Sequence, residues 1–218
     1  MKVQVLRRKE FRSLSITVER DGTVTVKAPL VATDEEIKQF IEESQDFVRR
    51  VVEKYKEYGV FKEYKDGETF LYLGENKELK IVDNQVEPLV LKDKFYLSSK
   101  VLDQARDVFL AWYKKQASKV IADRVKYYAL LGGYTYNKIA VKDLQKVWGS
   151  CSSRKNLSFN WRIIMAPLDV IDYVVVHELS HLREFNHTQR FWNQVAMLMP
   201  DYEEKDMWLR RNGHLLDL

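Results

Sequence analysis

Four histidines occur in the 218 residues, and three of them, His177, His181 and His187, fall within one span of eleven. With Glu178 they make the pattern H-E-x-x-H-x-x-x-x-x-H. Positions i and i+4 share one face of a helix, so His177 and His181 can reach one metal ion. Glu178 then projects beside them, close enough to serve a water held at that metal. Two imidazole ligands with a glutamate as general base are the residue set for zinc-assisted hydrolysis of a peptide bond. His187 is expected to leave the helix, turn back and supply a third ligand. Three protein ligands and one open position are the catalytic rather than the structural pattern, and one zinc per chain is expected.

The elements that must position this set can be read around it. Ile171, Val174, Val175, Val176, Leu179 and Leu182 give the motif helix a broad apolar surface, so it should be buried. Histidines on a buried helix are costly unless compensated, and a metal removes that cost. Pro167-Leu168-Asp169 opens the helix, with Pro early and an acid in the first turn. A further helix is expected from Thr188 to Leu198 and another from Tyr202 to Arg211, separated by Pro200 and closed by Gly213. Tyr202 is a candidate oxyanion donor, while Asp169 and Asp172 are candidates to orient the imidazoles from behind. Glu203 and Glu204 are alternative third ligands; His187 is preferred because its spacing allows a tight return. Glu184 and the fourth histidine, His214, read as surface residues.

Just before the motif helix, Lys146 to Ile163 reads as a β-hairpin around Arg154-Lys155-Asn156. Its first strand carries Trp148, Gly149 and Ser150, the candidate substrate-binding residues. A strand edge beside the metal lets an extended peptide bind by strand addition, and Gly149 allows close backbone approach. Trp148 and Trp161 read equally well as core packing. Cys151 is not expected to be a nucleophile, because a complete hydrolytic set lies elsewhere. Lys138 to Val141 should form a strand, and a long helix should run from Leu102 to Leu131, stopped by Gly132-Gly133.

The first hundred residues hold no catalytic constellation. Val3, Val5, Leu14, Ile16, Val18, Val24 and Val26 alternate as in a hairpin or meander, with a turn at Asp21-Gly22. Thr33-Asp34-Glu35-Glu36 is a capping box for a helix expected to reach Tyr58 and close at Gly59. Short strands should follow: Phe70 and Tyr72, then Leu79 and Ile81 across Gly74-Glu75-Asn76, then pieces from Val86 to Leu97.

Hydrophobic residues make up 45% and charged residues 31%, enough for a core and a charged surface. No apolar run is long enough for a membrane span, and no signal-peptide h-region opens the chain. One cysteine excludes an internal disulfide and suggests a reducing compartment, hence a cytoplasmic location. A net charge of +4 permits an acidic partner without demanding one. The basic cluster Arg7, Arg8, Lys9 and Arg12 reads first as a solvated turn and only weakly as a nucleic-acid patch.

Trp148-Gly149-Ser150-Cys151-Ser152, Phe159-Asn160-Trp161-Arg162, Tyr173 to Leu182, Asn186-His187 and Arg190-Phe191-Trp192 together resemble the YgjP-like metallopeptidases. Arg12 to Ile16 and Val24 to Pro29 fit the same family, so the resemblance covers nearly the whole chain. It implies a zinc peptidase with His177, His181 and His187 as ligands and Glu178 as the catalytic residue, related to SprT-type proteases. Val147 stands where an arginine is common in the family.

The expected fold is therefore α+β: a β-rich region with one helix over residues 1–100, and a zincin-like region with a long helix, a hairpin and an active-site helix over residues 101–218. The expected function is zinc-dependent peptide hydrolysis acting on a polypeptide. The alternatives are a DNA-associated protease of SprT type and a non-catalytic zinc-binding scaffold.

Overall fold

Alternating apolar residues near the start of the chain form a three-stranded sheet in a computed structural model that describes residues 3–18, 23–57, 62–144 and 146–218. Strands β1 (Val3–Arg7), β2 (Ser15–Val18) and β3 (Val24–Ala28) assemble in the order β1-β3-β2. β2 and β3 pair antiparallel as a hairpin, but β1 adds parallel to β3 on its far side. The arrangement is thus not a meander: β3, buried at Val24, Val26 and Ala28, takes the centre. The expected turn at Asp21-Gly22 and helix end at Tyr58-Gly59 lie outside the described residues.

The capping box forms as the sequence predicts. The Thr33 hydroxyl accepts from the Glu36 amide at 3.2 Å, and the Glu36 carboxylate accepts from the Thr33 amide at 2.8 Å. The single helix expected here is two, α1 (Asp34–Glu43) and α2 (Gln45–Glu57), broken at Ser44. Each half covers its own part of the sheet. Ile37 packs with Val26, Ala28 and Ala32, and Val48 packs with Val18 and Val24. Ser44, a weak helix former with backbone angles still in the helical region, lies between the two halves.

Residues Met1–Glu63 with Asp217–Leu218 make one compact unit and Tyr64–Leu216 a second. The boundary expected near residue 100 does not coincide with this division. The reason is aromatic packing: strands β4 (Thr69–Tyr72), β5 (Glu75–Val82), β6 (Leu89–Leu91) and β7 (Phe95–Ser98) share a core with helix α3 (Ala105–Gly132). Phe70 stacks on Phe109 at 4.3 Å between ring centroids, and Phe95 meets Trp112 edge-on at 4.9 Å. The Tyr113 hydroxyl donates to the Leu71 carbonyl at 2.5 Å. The sheet order is β4-β5-β7-β6, with β5 and β7 parallel.

The β4–β5 turn is Leu73-Gly74, both in the left-handed region (φ 51° and 82°), one residue earlier than the sequence suggested. Its tip serves the second half of the unit. The Leu73 and Gly74 amides donate to the carbonyls of Ile164 and Met165 at 2.9 and 3.0 Å. A Cβ on Gly74 would lie 2.9 Å from Cα of Pro167, the N-cap of helix α4 (Leu168–Ser180).

That second half holds strands β8 (Lys138–Lys142), β9 (Gly149–Cys151) and β10 (Asn156–Asn160) in the order β8-β10-β9, with β9 at an edge. A 3-10 turn, Trp161–Met165, leads into α4, and helices α5 (Gln189–Leu198) and α6 (Tyr202–Asn212) follow. The α+β class is as expected. Trp161 is buried and belongs to the core. α4 is tied to α3 by a clamp. Buried Asp172 takes Arg124 Nε at 2.5 Å, Arg124 Nη2 at 2.6 Å and the Tyr128 hydroxyl at 3.2 Å.

Removing one charge from such a pair leaves the other desolvated and unmatched. Asp172→Asn should therefore lower stability by about 2–3 kcal/mol, read from urea unfolding midpoints. A loss below roughly 0.5 kcal/mol would mean that the clamp does not hold the two helices together.

Candidate active site

Helix α4 buries Val170 to Val176 and Leu179 and presents His177 and Glu178 near its last turn, with His181 as its C-cap. The chain then leaves the helix, and His187 returns on the exposed segment before α5. The His177 Nε2 atom lies 3.2 Å from His181 Nε2 and 3.0 Å from His187 Nε2. The three potential ligand atoms all lie within 4.8 Å of one another. Beneath them Phe191 of α5, fully buried, touches every imidazole, with ring centroids 4.9, 4.5 and 4.7 Å from those of His177, His181 and His187.

The imidazole protons can be placed in part. His181 Nδ1 lies 3.1 Å from the Glu184 carbonyl, which can only accept, so Nδ1 carries the proton and Nε2 presents a lone pair. His177 Nδ1 is buried without a partner among the described residues. Burial, reinforced by the two neighbouring imidazoles, pushes the His177 pKa down to about 3. His181 is lowered as well, first by burial. Imidazoles that turn ring nitrogens towards a common point form a donor set for a cation.

Glu178 is 5% exposed, and its Oε2 has no hydrogen-bond partner among the described residues. Burial raises its pKa to about 8. Gly149 lies against it: a Cβ there would fall 2.6 Å from both Cγ and Oε1 of Glu178. The glycine is therefore required by close approach of the glutamate side chain, where the sequence suggested close approach of a backbone.

A cleft of about 500 Å³ opens over these groups. Trp148, Gly149, Ser150 and Cys151 form one wall, and Tyr173, Val174, Asp206 and Leu209 contribute from α4 and α6. The first wall is fixed from below by Asn160, whose amide donates to the Leu144 carbonyl at 2.7 Å and whose backbone amide donates to the Trp148 carbonyl at 2.8 Å.

The family model described as YgjP-like, metallopeptidase domain matches residues 12–212. The chain belongs to the YgjP-like metallopeptidase family. No curated protein matches it. Among solved structures it is similar in part to the metallopeptidase zymogen abylysin of Pyrococcus abyssi, with 18% identity over 42% of this chain and 93% of that one and a TM-score of 0.39. It is likewise similar to the metallopeptidase zymogen jannalysin of Methanocaldococcus jannaschii, with 20% identity over 42% and 95% and a TM-score of 0.39.

A metallopeptidase needs a metal, and the residues present fit one. Neighbouring nitrogens of a tetrahedral site with bonds of about 2.0–2.1 Å are about 3.3 Å apart, close to the 3.0 and 3.2 Å seen between the imidazoles. The substrate that the family implies is a polypeptide, and among the described residues no helix is long and apolar enough to cross a membrane.

Several residues fall elsewhere than their sequence positions suggested. Tyr202 is not among the residues lining the cleft; its ring stacks on Trp192 at 5.2 Å, and among the described residues its hydroxyl donates to Glu203. Asp172 is held by Arg124, and Asp169 pairs with Lys205 at 3.3 Å, so neither orients an imidazole. The backbone of Glu184 does that for His181. Glu203, Glu204 and His214 are exposed and lie outside the histidine cluster. Burial raises the Cys151 thiol pKa, which suits an inert cysteine. Sequence reading missed Tyr173 and Asp206, which meet through a 3.0 Å hydrogen bond in the cleft wall. Tyr173 stands four residues before His177, a spacing that places it on the same helix face; nothing local marks Asp206.

Two outcomes are expected. Gly149→Ala should displace Glu178 and cut peptide hydrolysis about a hundredfold while leaving metal content unchanged; full activity would show that the contact is slack. In metal-free protein, Glu178 binds its proton more tightly folded than unfolded, so its contribution to stability falls as pH rises from about 4.5 to about 8. Metal-free Glu178→Gln should therefore melt higher than metal-free wild type at pH 8, and the gap should close towards pH 5. A constant gap would contradict the burial effect.

Proposed function

We propose that this chain is a zinc-dependent peptidase in which His177, His181 and His187 hold one zinc ion and Glu178 is the general base. The convergence of the three Nε2 atoms beside a buried glutamate carries this reading. Zinc suits three imidazole nitrogens and an open position, and as a Lewis acid it lowers the pKa of water towards roughly 7 and polarises a carbonyl. Glu178 takes the proton from the attacking water and later delivers it to the leaving amine. Burial raises the proton affinity of its carboxylate and a nearby cation lowers it, so the two effects oppose each other. Phe191 and the Glu184 carbonyl keep the imidazoles in place.

An extended polypeptide adds to the free edge of β9, where Gly149 and Ser150 offer backbone groups and Trp148 a side-chain wall. A DNA-associated role receives less support. Arg7 is ion-paired with Asp34 and Arg8 with Glu10, so much of the N-terminal basic cluster is neutralised locally. A scaffold without turnover has no need of a buried carboxylate beside the ligands. A reducing compartment such as the cytoplasm suits the lone Cys151.

The test is metal content and hydrolysis of an unfolded protein substrate by wild type, Glu178→Gln and His187→Ala. Wild type should hold about one zinc per chain. Glu178→Gln should keep the zinc and lose hydrolysis by about 10²–10⁴-fold, and His187→Ala should lose zinc at a modest chelator concentration. Undiminished hydrolysis by Glu178→Gln would remove the general base from the mechanism, and zinc retained by His187→Ala would move the third ligand elsewhere.

A further inference from the structure

Charge is distributed unevenly along this chain. Between Lys138 and Arg162 six side chains are basic and only Asp143 is acidic, so this stretch carries +5 of a total of +4 and the remainder is close to neutral. The stretch is the β8-β10-β9 sheet with its connections. Arg162 pairs with Asp143 at 2.5 Å. Lys138, Lys142, Lys146, Arg154 and Lys155 are all exposed, and among the described residues none has a carboxylate within ion-pair distance.

Three of these cations bracket the edge strand beside the cleft. Lys146 lines the cleft ahead of Trp148. Arg154 and Lys155 sit in the turn that follows Cys151 and returns to β10. That turn is tightly built: the Lys155 amide donates to the Ser152 carbonyl at 2.8 Å and the Ser152 amide to the Asn156 carbonyl at 3.0 Å. Lys155 occupies its left-handed position (φ 57°), where glycine or asparagine costs less. A lysine is thus held at a strained position in the turn that joins the strand bordering Glu178 to β10. On the opposite wall Asp206, the one acid lining it among the described residues, is paired with Arg210 and accepts from Tyr173.

We propose that this cationic rim selects acidic polypeptide segments, with Asp or Glu side chains on either side of the residues that lie over the cleft. The inference rests on the peptidase reading for the direction in which a peptide lies. A segment paired with β9 rises about 3.3 Å per residue, so acidic side chains a few residues from the scissile bond reach Lys146 at one end and Arg154 and Lys155 at the other. Backbone pairing supplies the register, and the rim supplies a preference that salt weakens. A polypeptide is favoured over nucleic acid because the cations border a strand edge that offers backbone hydrogen bonds.

The test uses full-length Glu178→Gln protein loaded with zinc and two labelled, unstructured peptides. They are identical except that Glu flanks the central apolar residues in one and Gln in the other. Binding of the Glu peptide should be about tenfold tighter at low salt, and the advantage should shrink at high salt. Adding Lys146→Gln, Arg154→Gln and Lys155→Gly together should reduce Glu-peptide binding to the Gln-peptide level. The thermal midpoint should hold or rise, because glycine relieves the left-handed backbone. Equal binding of the two peptides, no binding of either, or a preference that survives the triple substitution would overturn the proposal. Tighter binding of a DNA oligonucleotide of matched charge would reassign the rim to nucleic acid. Wild-type protein assayed in parallel separates the two readings. Cleavage of both peptides at equal rates sinks the rim and spares the peptidase; a Glu preference in binding with no cleavage does the reverse.

Discussion

The carboxyl group of Glu178 is almost fully buried, one of its oxygens lacks a hydrogen-bond partner among the described residues, and three imidazoles crowd the same end of the helix. A buried charge without compensation is among the most expensive groups in a protein. Without a cation the site escapes that cost by staying neutral: burial drives His177 down to about 3 and Glu178 up to about 8, so both are uncharged near neutral pH. The same geometry makes a cation welcome, because nitrogen lone pairs turned towards one point gain more from a bound ion than from one another. The local sequence follows from this constraint. Glycine stands at 149 because a Cβ would collide with the carboxylate, and an unbroken apolar run precedes His177 because the helix is packed on nearly every side.

A costly site is useful only if it holds its geometry, and the surrounding elements supply stiffness from three directions. Arg124 and Tyr128 hold α4 through Asp172. The Leu73-Gly74 tip holds the turn before α4 through two backbone hydrogen bonds and seats itself on Pro167. Asn160 holds the cleft wall from below, linking the end of β10 to the connection that carries Trp148. Each contact is long-range in sequence and fixes one wall of the cleft without touching the reacting region.

This explains which features were legible in the sequence. The motif helix, the hairpin, the long helix and the capping box each rest on interactions spanning a few residues, and periodicity and spacing reveal such interactions. The histidine cluster was legible for the same reason. What escaped depends on contacts between distant segments. Nothing near Asp172 indicates Arg124, and nothing near Asp206 indicates Tyr173. Strand order escaped as well: β1 and β2 alternate alike, and only packing places β3 between them. The interruption at Ser44 escaped because no local breaker marks it: the serine keeps helical backbone angles, and the two halves pack on separate clusters.

His177 and His181 are fixed by the helix, but His187 is exposed and lies on an irregular segment, where a long excursion in conformation is cheap. Its ring is nonetheless confined. It rests on Phe191 and lies nearly parallel to Trp192, at 5.6 Å and 29°, and Trp192 in turn stacks on Tyr202 at 5.2 Å and 14°. Tyr202 thus contributes to the site as the end of an aromatic stack that braces its most exposed member. Two helices, α5 and α6, are recruited to that stack. In the proposed metal site, their packing sets how much order His187 retains before an ion arrives, and therefore how much of the binding free energy is lost in ordering it.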